Sequence, residues 1–216
     1  MNLEAARAQM LGQQIRAWEV LDDRVLEAIA QTPRERFVPP DYRDLAFADT
    51  EIPLAHGQAM LAPKIEGRLL QALQVEPGDE VLEVGAGTGF LTACLARLAE
   101  RVYSVDIFPE FVNSARANVA AVGLGNVEIE TADALQLDLP GRFDAIAVTG
   151  SMPVLDDRFV RMLRPQGRLF VVVGRAPVME ARLITLLPTG GTTSQSLFET
   201  VLLPLINAER PEPFVL

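Results

Sequence analysis

Val81-Leu-Glu-Val-Gly-Ala-Gly-Thr-Gly-Phe90 is the stretch that decides the fold of this chain. An apolar strand carrying an acid, Glu83, turns through Gly85, Gly87 and Gly89 and enters an amphipathic helix from Leu91 to Leu98. Glycines let a ligand approach bare backbone, and a helix start offers N–H groups without intrahelical partners. The pattern suits a nucleotide-like ligand, and taken alone it also suits a plain strand-to-helix turn. Spacing separates it from the dinucleotide fingerprint. Gly-x-Gly-x-x-Gly would place its third glycine at position 90, where this chain has Phe90. What stands here is Glu-x-Gly-x-Gly-x-Gly.

Strand and helix alternate on the C-terminal side of this loop. Apolar runs predict strands at 80–84, 101–105, 127–131, 143–148 and 167–173, and helices at 89–99, 109–121 and 155–163. Runs such as Ala145-Ile-Ala-Val148 and Leu169-Phe-Val-Val-Val173 read as strands buried on both faces, hence a parallel sheet covered by helices. The tail from 179 to 206 adds two strands around Gly190-Gly191, read as an antiparallel pair. On the N-terminal side, two helices are expected within 1–31. The first has Leu3, Met10, Leu11, Ile15 and Trp18 near one face; the second starts at Asp22 or Asp23 and turns Val25, Leu26 and Ile29 inward. Residues 32–63 are rich in proline and lack periodicity, which in a compact protein points to a functional segment or a lid. A third helix follows, Ile65 to Leu73. The fold expected is α/β: a Rossmann-like, doubly wound, mostly parallel sheet with an N-terminal helical and loop extension (1–64) on a ligand-binding unit (65–216), the two forming one compact unit.

Composition narrows the function. With 216 residues, 49% of them hydrophobic, the chain can bury one good-sized core. A formal net charge of −10 argues against binding nucleic acid through phosphates. The lone Cys94, in Leu91-Thr-Ala-Cys-Leu-Ala, reads as a small buried helix residue and not as a nucleophile. Without a signal-like N-terminus or a run of membrane-span length, the expectation is a cytoplasmic protein, monomeric by default and without a membrane partner. No metal-ligand pattern stands out.

Ligands of open parallel sheets bind beyond the carboxyl ends of the strands. Gly85, Gly87 and Gly89 follow the first such end. Asp106 closes the second, 21 residues after Gly85, where a carboxylate can accept both hydroxyl protons of a ribose. Asp133, in Thr131-Ala-Asp-Ala134, closes the third. Each acid also has a plain role, as a helix cap before Phe108-Pro109 or as a turn residue, but three in register on successive strands favour a ligand.

The loop at 83–89 resembles motif I of the class I S-adenosylmethionine (SAM) methyltransferases. More of the chain, in order, resembles the protein-L-isoaspartate O-methyltransferases: Asp23-Arg-Val-Leu26, Pro33-Arg-Glu-Arg-Phe-Val-Pro39, Ala48-Asp-Thr-Glu-Ile-Pro-Leu54, His56-Gly-Gln58, Phe143-Asp-Ala-Ile146, Gly167-Arg-Leu-Phe-Val-Val-Val-Gly174 and, more weakly, Val201-Leu-Leu-Pro-Leu205. The resemblance implies SAM as cofactor and a protein or peptide isoaspartyl carboxylate as methyl acceptor. It assigns cofactor contacts to Glu83, Gly85, Ala86, Gly87, Gly89, Asp106, Ile107, Asp133 and Ala134, with Asp133 near the adenine amino group and Glu83 bonding loop amides or the ligand's ammonium. A sulfonium and an ammonium suit these acids, as a pyrophosphate would not. On the acceptor side the candidates are Asp49, Gln58, Leu61 and the Thr149-Gly-Ser151 turn. No general base is required, because a carboxylate nucleophile is ionised at neutral pH. His56 accordingly reads as a turn or pocket-wall residue. The chain departs from the family after Gln58: Ala59 and Leu61 stand where Gly-Gln-Thr-Ile-Ser-Gln-Pro has threonine and the serine taken as the active-site residue. That leaves open an enzyme of the same ancestry with another acceptor, or a SAM-binding protein without catalysis. A nicotinamide dehydrogenase is disfavoured by Phe90 and by the want of a catalytic dyad.

Overall fold

A computed structural model describes residues 3–208. In chain order its elements are α1 (Leu3–Gln9), α2 (Asp23–Gln31), β1 (Ile52–Pro53), β2 (Ala59–Met60), α3 (Pro63–Leu73), β3 (Glu80–Val84), α4 (Phe90–Leu98), β4 (Arg101–Asp106), α5 (Pro109–Ala121), β5 (Val127–Thr131), β6 (Phe143–Met152), α6 (Asp157–Arg161), β7 (Leu163–Arg175), β8 (Val178–Leu186) and β9 (Thr192–Glu199). Seven of the strands form one sheet in the order β5-β4-β3-β6-β7-β8-β9. The pairs from β5 to β7 are parallel; β8 and β9 add on antiparallel. The chain winds outward from β3 through β4 to β5, then returns to lay β6 on the other side of β3. Such a reversal opens a crevice at the carboxyl ends of the two strands that flank it.

Alternate residues of the central strands feed two apolar clusters, one on each face. Val81, Val102 and Ala145 pack with Leu69, Phe90, Leu95 and Val112 of α3, α4 and α5. Leu82, Val105 and Ile146 pack with Leu135, Phe159 and Met162 on the opposite side. This is why β3 is apolar at consecutive positions: burial on both faces removes the alternation that a half-exposed strand keeps. The first cluster also takes in Ile15, Ile29 and Phe37, so the N-terminal segment and the sheet share one core. Gly67 of α3 permits that approach, since a β-carbon there would stand 3.0 Å from Ile15 Cγ2 and 3.2 Å from Val20 Cγ2.

Several expectations need correction. The first helix is α-helical only to Gln9. It loosens into a π-turn over Met10–Ile15 and a 3-10 turn over Arg16–Trp18, ending at left-handed Glu19. Met10 and Ile15 are buried, whereas Leu3 and Trp18 are partly exposed. Segment 32–63, expected to lack periodicity, holds 3-10 turns at 34–36, 40–45 and 55–57, and the short antiparallel pair of β1 and β2. The helix expected over 155–163 shrinks to Asp157–Arg161, because Leu163 already pairs with Phe143 and β7 starts there. β6 is longer than expected because its ladder with β7 is irregular, which carries the strand on to Met152.

Candidate functional site

A cleft of about 810 Å3, its solvent-open mouth included, lies at the carboxyl ends of β3, β4 and β6. That is within the usual range of small-molecule sites, roughly 300–1,000 Å3. Gly85 and Gly87 form its floor, Asp106, Ile107, Asp133 and Ala134 one side, and Leu54, Gln58, Ala59 and Leu61 the other. Phe108 and Phe111 contribute an aromatic wall, and Leu203 to Ile206 close the remaining side.

The glycine loop is tied down from β4: the amides of Gly85 and Ala86 donate to the Val105 carbonyl at 2.8 and 3.2 Å. Gly85 adopts φ +95°, and a β-carbon on it would fall 2.1 Å from Thr149 Oγ1. Only glycine fits there, because Thr149 uses that hydroxyl to donate to the carbonyls of Val84 (2.8 Å) and Gly85 (3.2 Å).

Asp106 ends β4 with both oxygens braced. Oδ2 accepts the Gly87 amide at 2.9 Å and Oδ1 the Phe108 amide at 3.0 Å. Burial raises its pKa, while the amides of Phe108, Gly87 and Ile107 act the other way. These amides fix the orientation of a carboxylate that still has acceptor capacity toward the cleft, which is what recognition of a hydroxyl pair requires. Asp133 caps the turn after β5, accepting the Leu135 amide at 2.9 Å on Oδ1 and the Asn207 side-chain amide at 2.9 Å on Oδ2. It is therefore both the turn residue and a wall of the cleft.

Three of the proposed cofactor residues lie off the cleft wall. Glu83 is fully buried and faces Thr92 of α4 and Ser104 of β4, both of whose hydroxyls donate to its Oε2. Among the described residues it bonds no loop amide, the first of the two roles expected for it. Burial pushes its carboxyl up to about 8, although the two hydroxyls pull it down. Ala86 is buried beneath the loop, and Gly89 caps α4 in a left-handed conformation against the Ala115 backbone. On the acceptor side, Gln58 and Leu61 line the cleft but Asp49 does not; its carboxylate takes the Lys64 ammonium at 2.8 Å. Glu51, which sequence reasoning passed over, lines the cleft instead. His56 sits in the tight turn before β2 at φ +56°. Its ring stacks on Phe108 with centroids 4.2 Å apart, buttressing the aromatic wall.

In the sequence the wall at 203–206 is marked only by its apolar run and by the weak family likeness of Val201–Leu205. It is placed by Ser151, 1% exposed, whose Oγ donates to the Leu202 carbonyl at 2.9 Å. The Ser151 amide donates to Leu203 O (2.8 Å), and the Leu205 amide donates to Ser151 O (2.9 Å).

Among the described residues, the charged ones lining the cleft are Glu51, Asp106 and Asp133, with no Lys, Arg or His. Such a cavity favours a cationic ligand over a phosphate. No helix among the described residues is long and apolar enough to cross a membrane.

Known proteins share this architecture. The chain is 37% identical over 206 residues to a protein-L-isoaspartate O-methyltransferase of Aeropyrum pernix, covering 93% of this chain and 79% of that one. It is 37% identical over 220 residues to protein-L-isoaspartate O-methyltransferase 1 of Rhodopseudomonas palustris, covering 98% and 89%. A Plasmodium falciparum protein named for the same activity, crystallised with S-adenosyl-L-homocysteine, superposes with a TM-score of 0.81 at 22% identity, covering 95% of this chain and 98% of that one. That likeness supports the fold. The family described as protein-L-isoaspartate(D-aspartate) O-methyltransferase matches residues 5–209, nearly the whole chain. By that match over nearly its whole length and by these identities, this chain belongs to the protein-L-isoaspartate(D-aspartate) O-methyltransferase family.

Proposed function

We propose that this chain is a SAM-dependent O-methyltransferase that esterifies the free carboxylate of isoaspartyl residues in damaged proteins. The observation that carries the reading is the continuity of the cleft. One space is bounded by the glycine loop and Asp106 on one side and by Gln58, Ala59 and Leu61 on the other, so cofactor and acceptor can meet in it. Family membership supplies the substrate class.

The residues present fit SAM. Bare backbone at Gly85 and Gly87 admits its amino-acid part, Asp106 is oriented for its ribose, and Asp133 stands in the wall beyond. When bound, SAM supplies an electrophilic methyl group. The protein has no proton to move, because the acceptor carboxylate is ionised at neutral pH. Its task is to align the acceptor oxygen with the methyl carbon and keep water out. Phe108, Phe111, Leu54 and Leu61 provide the dry walls. Gln58 is the side-chain amide donor of the lining, held among the described residues only by a long 3.3 Å bond to the His56 carbonyl, and is free to turn to the acceptor carboxylate. Ala59 and Leu61 leave this wall apolar, which favours a second reading: the same transfer to a different carboxylate acceptor.

Labelled SAM offered with an isoaspartyl peptide and its normal aspartyl twin tests the reading. Label on the isoaspartyl peptide alone is expected. Label on neither, with SAM bound, would overturn the isoaspartyl assignment and favour the second reading.

A further inference from the structure

A buried ionic node lies behind the acceptor wall, and the chemistry described above makes no use of it. Arg34, in the 3-10 turn at 34–36, is 1% exposed, and Glu66 of α3 is 2% exposed. Arg34 Nη1 donates to Glu66 Oε2, and Nη2 donates to the Leu61 carbonyl at 2.7 Å. The guanidinium carbon lies 4.6 Å from the centre of the Phe90 ring. Phe90 opens α4 directly after the glycine loop, and Phe37 packs edge-on against it at 5.7 Å. Arg34 Nε is buried without a partner among the described residues.

Packing alone does not explain such a node. Two charges lose their hydration here, and apolar residues of similar volume commonly serve stability as well or better. What an apolar pair cannot do is fix a backbone carbonyl. Leu61 is the residue whose side chain lines the cleft and whose carbonyl Arg34 holds. The same planar group rests on the first residue of the cofactor-side helix. One side chain thus joins the acceptor wall to the element that carries the glycine loop.

We propose that Arg34 is a positioning residue for methyl transfer, setting the separation between the Leu61 wall and the glycine loop. It touches neither substrate nor cofactor and acts through Leu61. The inference rests on the functional reading above, so its test includes a readout that needs no acceptor.

The decisive variant is Arg34→Met with Glu66→Leu, which removes both charges and leaves neither orphaned. Expected are a melting temperature within a few degrees of wild type, S-adenosylhomocysteine affinity within about threefold, and kcat on an isoaspartyl peptide at least tenfold lower with KM changed less than about threefold. A kcat within twofold of wild type would overturn the proposal, as would a loss confined to KM. Should the double variant fail to fold, Arg34→Lys keeps a charge beside Glu66, but its single ammonium cannot reproduce the planar fork that serves Glu66 and Leu61 together. It should show the same split. Amide exchange over residues 55–63, measured with S-adenosylhomocysteine bound, should quicken at least tenfold in either variant; unchanged exchange also overturns the idea. If wild type methylates no isoaspartyl peptide, the functional reading fails, while the exchange result still decides the role of Arg34.

Discussion

Glu83 is an acid enclosed by protein, and its surroundings set a pH dependence. Its carboxyl titrates near 8 in the folded chain, because burial outweighs the hydroxyls of Thr92 and Ser104, against about 4.5 when unfolded. Between those values the native state holds a proton that the unfolded state has released. Stability from this group is therefore complete below about pH 4.5 and is lost as pH rises through 8. Glu83→Gln should remove that slope. Chemical denaturation at pH 5 and pH 8 should show the variant gaining on wild type at the higher pH, by an amount on the order of a few kcal/mol. Identical pH profiles would contradict it. The sequence placed Glu83 beside the loop but was silent on which way it points: an acid at a strand end reads the same whether it faces solvent, ligand or core. Ala59 and Leu61 were legible as departures, and both line the cleft. Ala59→Thr with Leu61→Ser should raise isoaspartyl kcat/KM by about ten- to a hundredfold, the worth of one net hydrogen bond to a carboxylate at roughly 1.5–3 kcal/mol. A fall in kcat/KM would mean that the apolar wall is itself adapted to its acceptor. Gly85→Ala should weaken S-adenosylhomocysteine binding at least tenfold by calorimetry, since its β-carbon displaces the Thr149 hydroxyl and its φ of +95° disfavours alanine.

Among the elements, β6 shows where pattern reading stops. Its apolar run over 145–148 announces a buried strand, and the register there is regular. Between Ala147 and Ser151 the pairing slips: four residues advance on β6 while two advance on β7, from Phe170 to Val172. Extra residues of this kind bend a strand and re-aim its side chains, often beside a functional site. Here the irregularity brings Thr149 and Gly150 to the cleft and frees Ser151 to hold the chain at 202–205. No local composition announces it, because the cause is a partner fifty residues downstream. Helices and strands set by their own periodicity were readable; the ends of α6 and the start of β7 were not, since the competing pair Phe143–Leu163 is a long-range contact. Ser151→Ala should leave the Leu202 carbonyl without its side-chain donor, a loss of about 1–3 kcal/mol. Faster amide exchange confined to 201–206 and several-fold weaker S-adenosylhomocysteine binding are expected; exchange that quickens across the whole sheet would point to general destabilisation.

At the scale of the molecule, the division at residue 64 does not coincide with any break in the apolar core, which runs from Ile15 and Phe37 through Leu69 to Phe170. Trp18 adds a link, meeting Phe198 of β9 edge-on at 6.3 Å and lying 4.4 Å from the Lys64 ammonium. A shared core of this kind unfolds as a unit. Urea transitions followed by Trp18 fluorescence and by far-ultraviolet circular dichroism should coincide; an earlier fluorescence midpoint would show that the N-terminal segment detaches first. Cys94 has a bearing on such experiments. Its sulfur is wholly enclosed in α4, and burial lifts the thiol to about 12. A maleimide dye will therefore mark only molecules that have opened past α4, so its uptake under native conditions counts excursions from the folded state one chain at a time.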